Sequence, residues 1–277
     1  MPAADWQILW KKHEHVRDKR LLFVEETHTY YIDGDSKGVT SVTSLLHCFF
    51  PHFEPDAIID KMMKSPKWPQ NKYYGKTKEE IKALWNENGR VASEAGTKMH
   101  LAIEMFLNDA YHLIPKDVLE TPEWKYFIKF WKDHGEDLEP WRLEFEVFIE
   151  EIKLAGSIDA VFRRKSNGKF LIYDWKRSKE IKTENPFETG YAPLDHLPNT
   201  NYWHYTAQLN VYRYILENYY DMEVEDMYLV IMHPDNKSYK RMRLNRMDDE
   251  VALMIEARKK AVEAGCKKVV ILEDSTH

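Results

Sequence analysis

Residues 156–178 read GSIDAVFRRKSNGKFLIYDWKRS, and this stretch decides the fold. Two apolar runs, AVF and FLIY, flank the polar turn SNG, a pattern that predicts two strands joined by a hairpin. Asp159 and Asp174 each lie at the end of one run. Lys176 follows Asp174 by two residues, so both side chains leave the same face of the strand. Because a carboxylate beside buried strand residues is costly unless it is paired, we expect both aspartates to have partners.

The chemistry of these three residues suits a metal-dependent site. Cross-strand pairing can bring Asp159 and Asp174 within several ångströms of each other. Two carboxylates at that distance suit a hard cation such as Mg²⁺, which takes oxygen ligands. The ammonium of Lys176 can orient a water, help to deprotonate it and offset charge on a phosphate. The same spacing also fits a strand-end aspartate beside a surface ion pair, and the residues alone leave both interpretations open.

Three further features extend the candidate site. His100 and Glu104 are four residues apart on a predicted helix and share a face. Gln208 and Tyr212 have the same spacing on a later helix. Glu144 lies in an alternating strand before the aspartates and is one more carboxylate that can face the site. Any one of these residues, considered alone, could equally be a packed or solvent-exposed side chain with no role in a site.

Composition limits the class of protein. The chain has 277 residues with 43% hydrophobic and 31% charged, values typical of a soluble globular protein of one large or two small domains. No apolar run reaches the ~20 residues of a membrane span. The charged N-terminal segment does not read as a secretory signal, so we expect an intracellular protein. The net charge of −6 argues against a broad basic face that coats duplex DNA, but leaves nucleic acid open as a substrate.

The pattern of elements predicts an α/β (α+β) fold. A charged helix over 5–18 precedes a hairpin over 21–35, a short helix from Ser41, and a helix followed by a lysine-rich loop within 54–76. From Thr77 we expect two helices with a break near Asn88 and Gly89, then a helix over 121–137 with one apolar face made of Trp124, Phe127, Ile128 and Trp131. Three strands, a helix, two paired strands and a helix over 247–264 complete the chain.

Four segments occur in an order that resembles a known family. GTKMH, AGSIDAV, YDWK and YTAQLNVY, within residues 90–215, resemble the RecB-like branch of the PD-(D/E)XK nuclease superfamily. That branch includes phage and viral exonucleases and mitochondrial genome-maintenance exonucleases. The segment GVTSVTSLL adds a match to the Ser-x-Thr segment of such proteins. The resemblance implies a restriction-endonuclease-like central mixed sheet flanked by helices, and two parts: an N-terminal hairpin and helical part over 1–90 that guides DNA, and a nuclease core over 91–277.

The resemblance also implies roles for particular residues. Lys176 would be the catalytic lysine, acting with Asp174, Asp159 and Glu144. Divalent metal would be bound by His100, Asp159, Asp174 and the backbone carbonyl of Trp175. DNA would be contacted by Ser41, Thr43, Gln208, Tyr212 and Arg177. The chain has only two cysteines, so it departs from the iron–sulfur members of the group.

The implied activity is hydrolysis of DNA by an exonuclease that uses Mg²⁺ or Mn²⁺ and leaves 5′-phosphate and 3′-hydroxyl ends. Single-stranded DNA or DNA ends are the expected substrates, in repair, recombination or replication. The loop with Lys64, Lys67, Trp68, Lys72, Tyr73 and Tyr74 can contact a single strand by stacking, or can be a surface loop packed by its own aromatic residues. The alternatives are a non-catalytic nucleic-acid-binding module of the same fold, an endonuclease, and an RNA-cleaving enzyme.

Overall fold

The computed structural model describes residues 4–269. Two compact units are present: Met1–Pro51 with Met99–His277, here called the sheet unit, and His52–Lys98, here called the helical unit. The sequence placed the division at residue 90 instead. The N-terminal hairpin groups with the sheet because Leu21 and Ile32 are buried in one cluster with Phe148 and Ala155. Among residues 4–269, no helix is both long and apolar enough to cross a membrane.

The sheet unit is built on six paired strands. They are β3 (Thr40–Ser41), β4 (Leu138–Ile149), β5 (Leu154–Arg164), β6 (Phe170–Lys176), β7 (Val224–Ile231) and β8 (Lys240–Arg243). The pairs β4–β5, β5–β6 and β7–β8 are antiparallel, whereas β3–β5 and β6–β7 are parallel. The predicted three-strand run and the predicted later strand pair are confirmed, and the sheet is mixed as expected. A separate two-stranded hairpin joins β1 (Leu21–Val24) and β2 (Thr29–Ile32).

The central strand β5 has a gap along one edge. β4 pairs with β5 from Leu154 to Arg164 and so occupies the other edge completely. On the gapped edge, β3 pairs only with Leu154 and Ala155, and β6 pairs only from Ala160 onward. Within the described residues, positions 156–159 of β5 therefore have no strand partner on this edge. Side chains from helices and neighbouring strands can reach the backbone there.

Helices cover both faces of this sheet. α2 (Val42–Leu46), α7 (Asn201–Tyr219) and α8 (Asp248–Glu263) contribute to one buried cluster, and the end of α4 (Lys78–Leu107) with α6 (Pro122–His134) contributes to the other. Consecutive residues at the end of β5 enter opposite clusters, since Val161 belongs to the first and its neighbours Ala160 and Phe162 to the second. The remaining helices are α1 (Ile8–Lys12), α3 (Pro55–Met63) and α5 (Lys116–Leu119).

Three helix predictions were wrong. α4 runs unbroken from Lys78 to Leu107, through Asn88 and Gly89. A single glycine costs a helix only about 1 kcal/mol relative to alanine, which does not suffice to end a helix of 30 residues. In α6, Phe130 is fully buried, whereas the predicted Ile128 is 37% exposed. The N-terminal helix is also shorter than predicted, with five residues in α1 followed by a 3₁₀ turn over Val16–Arg20.

The helical unit contains α3, a 3₁₀ turn at Trp68–Gln70 and most of α4. Ile59 and Ile81 are its fully buried apolar side chains among the described residues. Lys78 and Lys82 on α4 pair with Asp56, which lies in the first turn of α3, at 3.8 and 3.0 Å. These ion pairs and the two isoleucines hold α3 beside the first turns of α4.

Candidate functional site

Glu144 and Asp159 lie opposite each other on β4 and β5. They lie between two paired positions of these strands, Leu143–Ala160 and Phe145–Ile158. Glu144 has φ of 42°, in the left-handed region that costs a non-glycine residue energy unless its surroundings fix it. Ser157 donates a hydrogen bond to Glu144 Oε2 at 3.3 Å. The strand register therefore places two carboxylates on one side of the sheet.

His100, on α4, completes a cluster with these two carboxylates. Its Nδ1 lies 3.8 Å from Glu144 Oε1 and 3.7 Å from Asp159 Oδ2. Its Nε2 lies 2.8 Å from the carbonyl oxygen of Trp175, and because a carbonyl can only accept, the Nε2–H must donate. Burial lowers the pKa of His100, but the carboxylates of Asp159 and Glu144 outweigh it and raise the pKa to about 9. The imidazole is thus oriented with Nδ1 toward the two acids.

Asp159 also closes the gap in the sheet edge. Its Oδ2 accepts a hydrogen bond from the backbone N–H of Trp175 at 2.8 Å. The N–H and the C=O of Trp175 are therefore both bonded to side chains of the cluster. A carboxylate replaces a strand-to-strand hydrogen bond where β5 and β6 separate, and it is fixed in position as a result.

Asp174 and Lys176 form a buried ion pair beside the cluster. Lys176 Nζ lies 2.7 Å from Asp174 Oδ2 and 2.9 Å from Oδ1, and their side chains are 20% and 6% exposed. Burial raises the pKa of the Asp174 carboxyl. Burial lowers the pKa of Lys176, but Asp174 and Asp159 outweigh it and the pKa is raised. The ring of Tyr205 lies 4.7 Å from Lys176 Nζ, a cation–π contact that sequence patterns did not indicate.

The residues present suit a divalent cation. One ligand atom each from His100, Glu144 and Asp159 lies within 4.8 Å of the others, a set of one imidazole nitrogen and two carboxylate oxygens. Such a donor set is suited to Mn²⁺ or Mg²⁺. The sequence placed Asp174 and the Trp175 carbonyl in the ligand set. In the structure Asp174 forms an ion pair with Lys176, and the Trp175 carbonyl accepts a hydrogen bond from His100. Glu144 is the third residue of the cluster that could hold a cation.

The predicted DNA contacts near α2 and α7 are joined by hydrogen bonds. Ser41 caps α2, accepting from Ser44 N at 3.0 Å. Gln208 donates to Thr43 Oγ1 at 2.9 Å, and its Nε2 lies 3.5 Å from the hydroxyl of Tyr212. Burial raises the pKa of Tyr212 well above its usual value. This network ties the start of α2 to the middle of α7.

Arg177 lies at the end of β6 and is paired with a buried acid. Its Nε donates to Glu123 Oε1, on α6, at 2.7 Å, and the side chains are 18% and 9% exposed. Lys179 pairs with Asp235 at 2.8 Å. Because Glu123 accepts from Nε, the terminal N–H groups of the Arg177 guanidinium can donate to another acceptor. The sequence did not indicate Glu123, because a single glutamate in the first turn of a helix has many uses.

Glu144 also borders an acidic cavity of 430 Å³ in the sheet unit. Glu104, the predicted neighbour of His100 on the helix face, lines this cavity, and its Oε1 accepts from Gln7 at 2.8 Å. Burial raises the pKa of Glu104 to about 7. Burial likewise raises the pKa of Glu146, another lining residue, to about 6. Glu104 thus faces the cavity and is not part of the cluster with His100.

Comparisons with known proteins identify the family. No curated protein matches this chain. Two crystal structures show a loose likeness. SSO0001 is 17% identical with a TM-score of 0.35, and the match covers 91% of this chain and 84% of that one. A protein named "Putative exonuclease" from Eubacterium rectale is 12% identical with a TM-score of 0.42, and the match covers 82% of this chain and 80% of that one. The family model of the PD-(D/E)XK nuclease superfamily matches residues 71–270. The match contains the histidine, both aspartates and the lysine of the site, and the chain belongs to the PD-(D/E)XK nuclease superfamily.

Proposed function

We propose that this protein is a divalent-metal-dependent deoxyribonuclease that works from DNA ends as an exonuclease. The observation that carries the proposal is the cluster of His100, Glu144 and Asp159 beside the buried Asp174–Lys176 pair, in a chain of this superfamily. The proposed reaction hydrolyses a phosphodiester bond and leaves a 5′-phosphate and a 3′-hydroxyl. Mg²⁺ or Mn²⁺ is the proposed cofactor.

His100, Glu144 and Asp159 would hold the cation. When bound, a divalent cation polarises a phosphoryl oxygen and lowers the pKa of a water. The chain itself fixes the ligands: Trp175 O orients the imidazole, and Trp175 N–H orients the Asp159 carboxylate. Such outer hydrogen bonds set the tautomer and direction of a ligand and raise its basicity.

Lys176 and Asp174 act on the water and the phosphate. The ammonium orients the attacking water or takes part in moving its proton, and its charge opposes the charge that develops on the phosphate. Asp174 holds Lys176 from one side and the Tyr205 ring lies on another. We propose Asp174 as the acid that positions the lysine and adjoins the cation.

DNA would contact the network at α2 and α7. We propose that Ser41 and Thr43 bind phosphate through their hydroxyls, and that Gln208 and Tyr212 position them. The bond from Gln208 to Thr43 supports this division. Arg177 would contact a phosphate through the N–H groups that Glu123 does not occupy.

One digest tests the proposal. Linear single-stranded DNA, circular single-stranded DNA and linear duplex are incubated with Mg²⁺, with Mn²⁺ and with EDTA. The proposal expects metal-dependent release of mononucleotides or short products bearing 5′-phosphates from linear strands, with circles left intact. Cut circles would make the enzyme an endonuclease, and equal digestion of matched RNA would remove the DNA preference.

The rival function is a binding module that keeps the fold without cleavage. The intact set of His100, Asp159, Asp174 and Lys176 favours the enzyme, because a module that only binds has no need for a buried lysine beside an acidic cluster. DNA binding with no cleavage in either Mg²⁺ or Mn²⁺ would favour the rival.

A further inference from the structure

The helical unit differs in charge from the rest of the chain. Residues 52–98 contain nine Lys and Arg against seven Asp and Glu, whereas the whole chain has 40 against 46. Within it, residues 61–76 contain five lysines and no carboxylate. Lys78, Lys82 and Arg90 pair with acids of the unit, but among the described residues none of the five lysines of 61–76 is in an ion pair. This segment therefore presents unneutralised positive charge.

An aromatic groove lies in the same unit. It has a volume of 380 Å³ and is lined by Phe53, Pro55, Lys82, Trp85 and Asn86. Phe53 is 66% exposed, which is unusual for a phenylalanine, and its ring centroid lies 5.8 Å from that of Trp85 at 47°. Unlike an isolated exposed ring, Phe53 lies beside a second aromatic ring at a groove, so its exposed face offers a surface on which a planar ligand can stack.

The groove and the lysine segment are in direct contact. Trp85 Nε1 donates to the Tyr73 hydroxyl at 2.9 Å, and the two rings are 6.1 Å apart at 71°. Lys72 Nζ lies 4.8 Å from the centroid of the Tyr73 ring. Phe53, Trp85, Tyr73 and Lys72 therefore form a continuous series of contacts that leads from the aromatic groove to the positively charged segment.

We propose that the groove between Phe53 and Trp85 binds a base of single-stranded DNA, while lysines of residues 61–76 hold the adjacent phosphates. Aromatic faces stack on any base, and lysines follow the backbone, which is the chemistry of single-strand recognition. Asn86 adds an amide that can both donate to and accept from a base edge. A duplex hides its base faces within the stack and does not fit this groove.

The choice of DNA as ligand rests on the proposed function, but the binding site is tested without cleavage. The full chain is titrated into labelled oligothymidine in EDTA, and anisotropy gives the dissociation constant. Phe53→Ala should weaken binding by about 5- to 100-fold, the range for loss of one base stack, and Phe53→Trp should bind as the parent does. Phe187→Ala is the matched control, since Phe187 is 88% exposed in the sheet unit, and it should have no effect.

An abasic oligomer of equal length isolates the base. The parent and Phe53→Ala should bind it equally, because only phosphate contacts remain. Unchanged binding of oligothymidine by Phe53→Ala, equal weakening on duplex, or failure of the parent to bind would overturn the inference. If Phe53→Ala weakens binding of oligothymidine but the parent cleaves DNA with neither Mg²⁺ nor Mn²⁺, the base-binding groove is supported and the proposed nuclease activity is contradicted.

Discussion

The ring of Tyr212 packs directly against the backbone of Gly156. A Cβ at position 156 would lie 2.7 Å from Tyr212 Cε1 and 2.9 Å from its hydroxyl oxygen. Both residues are in the segments that resemble the nuclease family, and Gly156 begins the unpaired stretch of the β5 edge. The glycine is therefore needed so that α7 can approach the sheet at the site.

Gly156→Ala should lower the free energy of unfolding by about 1–3 kcal/mol, the usual cost of overpacking a core. Chemical denaturation measures it. Tyr212→Val removes the ring, and in that background Gly156→Ala should cost less than in the parent, because the closest contact is gone and that with Val42 Cγ2 at 3.2 Å remains. The same cost in both backgrounds would show that the contact with Tyr212 is not the reason for the glycine.

Gly89→Ala and Gly96→Ala should each stabilise the protein by about 0.5–1 kcal/mol. Both lie inside α4, and an added Cβ would meet nothing within 4 Å. Alanine loses less backbone entropy than glycine in a helix. Gly75→Ala is the matched control: it also has open space, but its φ of +84° disfavours any side chain, so it should destabilise. A loss of stability in Gly89→Ala would indicate that α4 is broken there in solution.

The error at Gly89 shows which parts of the structure local sequence can predict. The strands around Asp159 and Asp174 followed from two apolar runs that flank a polar turn, a signal that is local in the sequence. The unbroken α4 did not, because Asn88 and Gly89 locally favour a break and the helix nevertheless continues through them. Burial of Phe130 in place of Ile128 depends on which way α6 faces the sheet, and that is decided by packing.

The candidate site was predictable as a set of residues and not as an arrangement. His100, Asp159, Asp174 and Lys176 were named from motifs. Their partners were not, because the contacts join elements far apart in the chain: Gln208 with Thr43, Arg177 with Glu123, and Lys176 with Tyr205. Glu144 is opposite Asp159 only through the register of β4, which a one-residue slip would reverse.

His204 should make the protein less stable at mildly acidic pH. Burial, with a smaller contribution from the charge of His47, lowers the pKa of His204 to about 4. The ring of His204 lies 4.0 Å from that of Phe50, and its Nε2 lies 2.8 Å from Asn199 Oδ1. His204 takes up a proton near pH 6.5 in the unfolded chain and only near pH 4 in the folded chain. The contribution of His204 to the free energy of unfolding is therefore complete above pH 6.5 and is lost as the pH falls toward 4. Denaturation midpoints at pH 7.5 and 5 should differ less in His204→Gln. An equal difference in parent and variant would assign the acid sensitivity to other groups.

Arg258→Met should lower the free energy of unfolding by more than about 2 kcal/mol. Arg258 is fully buried and donates to backbone carbonyls of Ile152 at 2.9 Å, Gly38 at 2.8 Å and Lys267 at 2.5 Å. Its removal takes a donor from the carbonyl of the buried Ile152, at a cost of about 1–3 kcal/mol, and also removes its bonds to Gly38 and Lys267. Arg246→Met, with a side chain 52% exposed, should change stability by less than about 1 kcal/mol. Equal effects of the two variants would contradict the role given to Arg258.

The most direct test compares Mn²⁺ binding with Mn²⁺-dependent cleavage in Lys176→Ala. Calorimetry gives the affinity and single-stranded DNA digestion gives the rate, with the exposed Lys259→Ala on α8 as control and thermal melts to verify folding. The account predicts that Lys176→Ala binds Mn²⁺ nearly as the parent does, through His100, Glu144 and Asp159, and loses cleavage by at least about 100-fold. Cleavage by Lys176→Ala at the parental rate would contradict it.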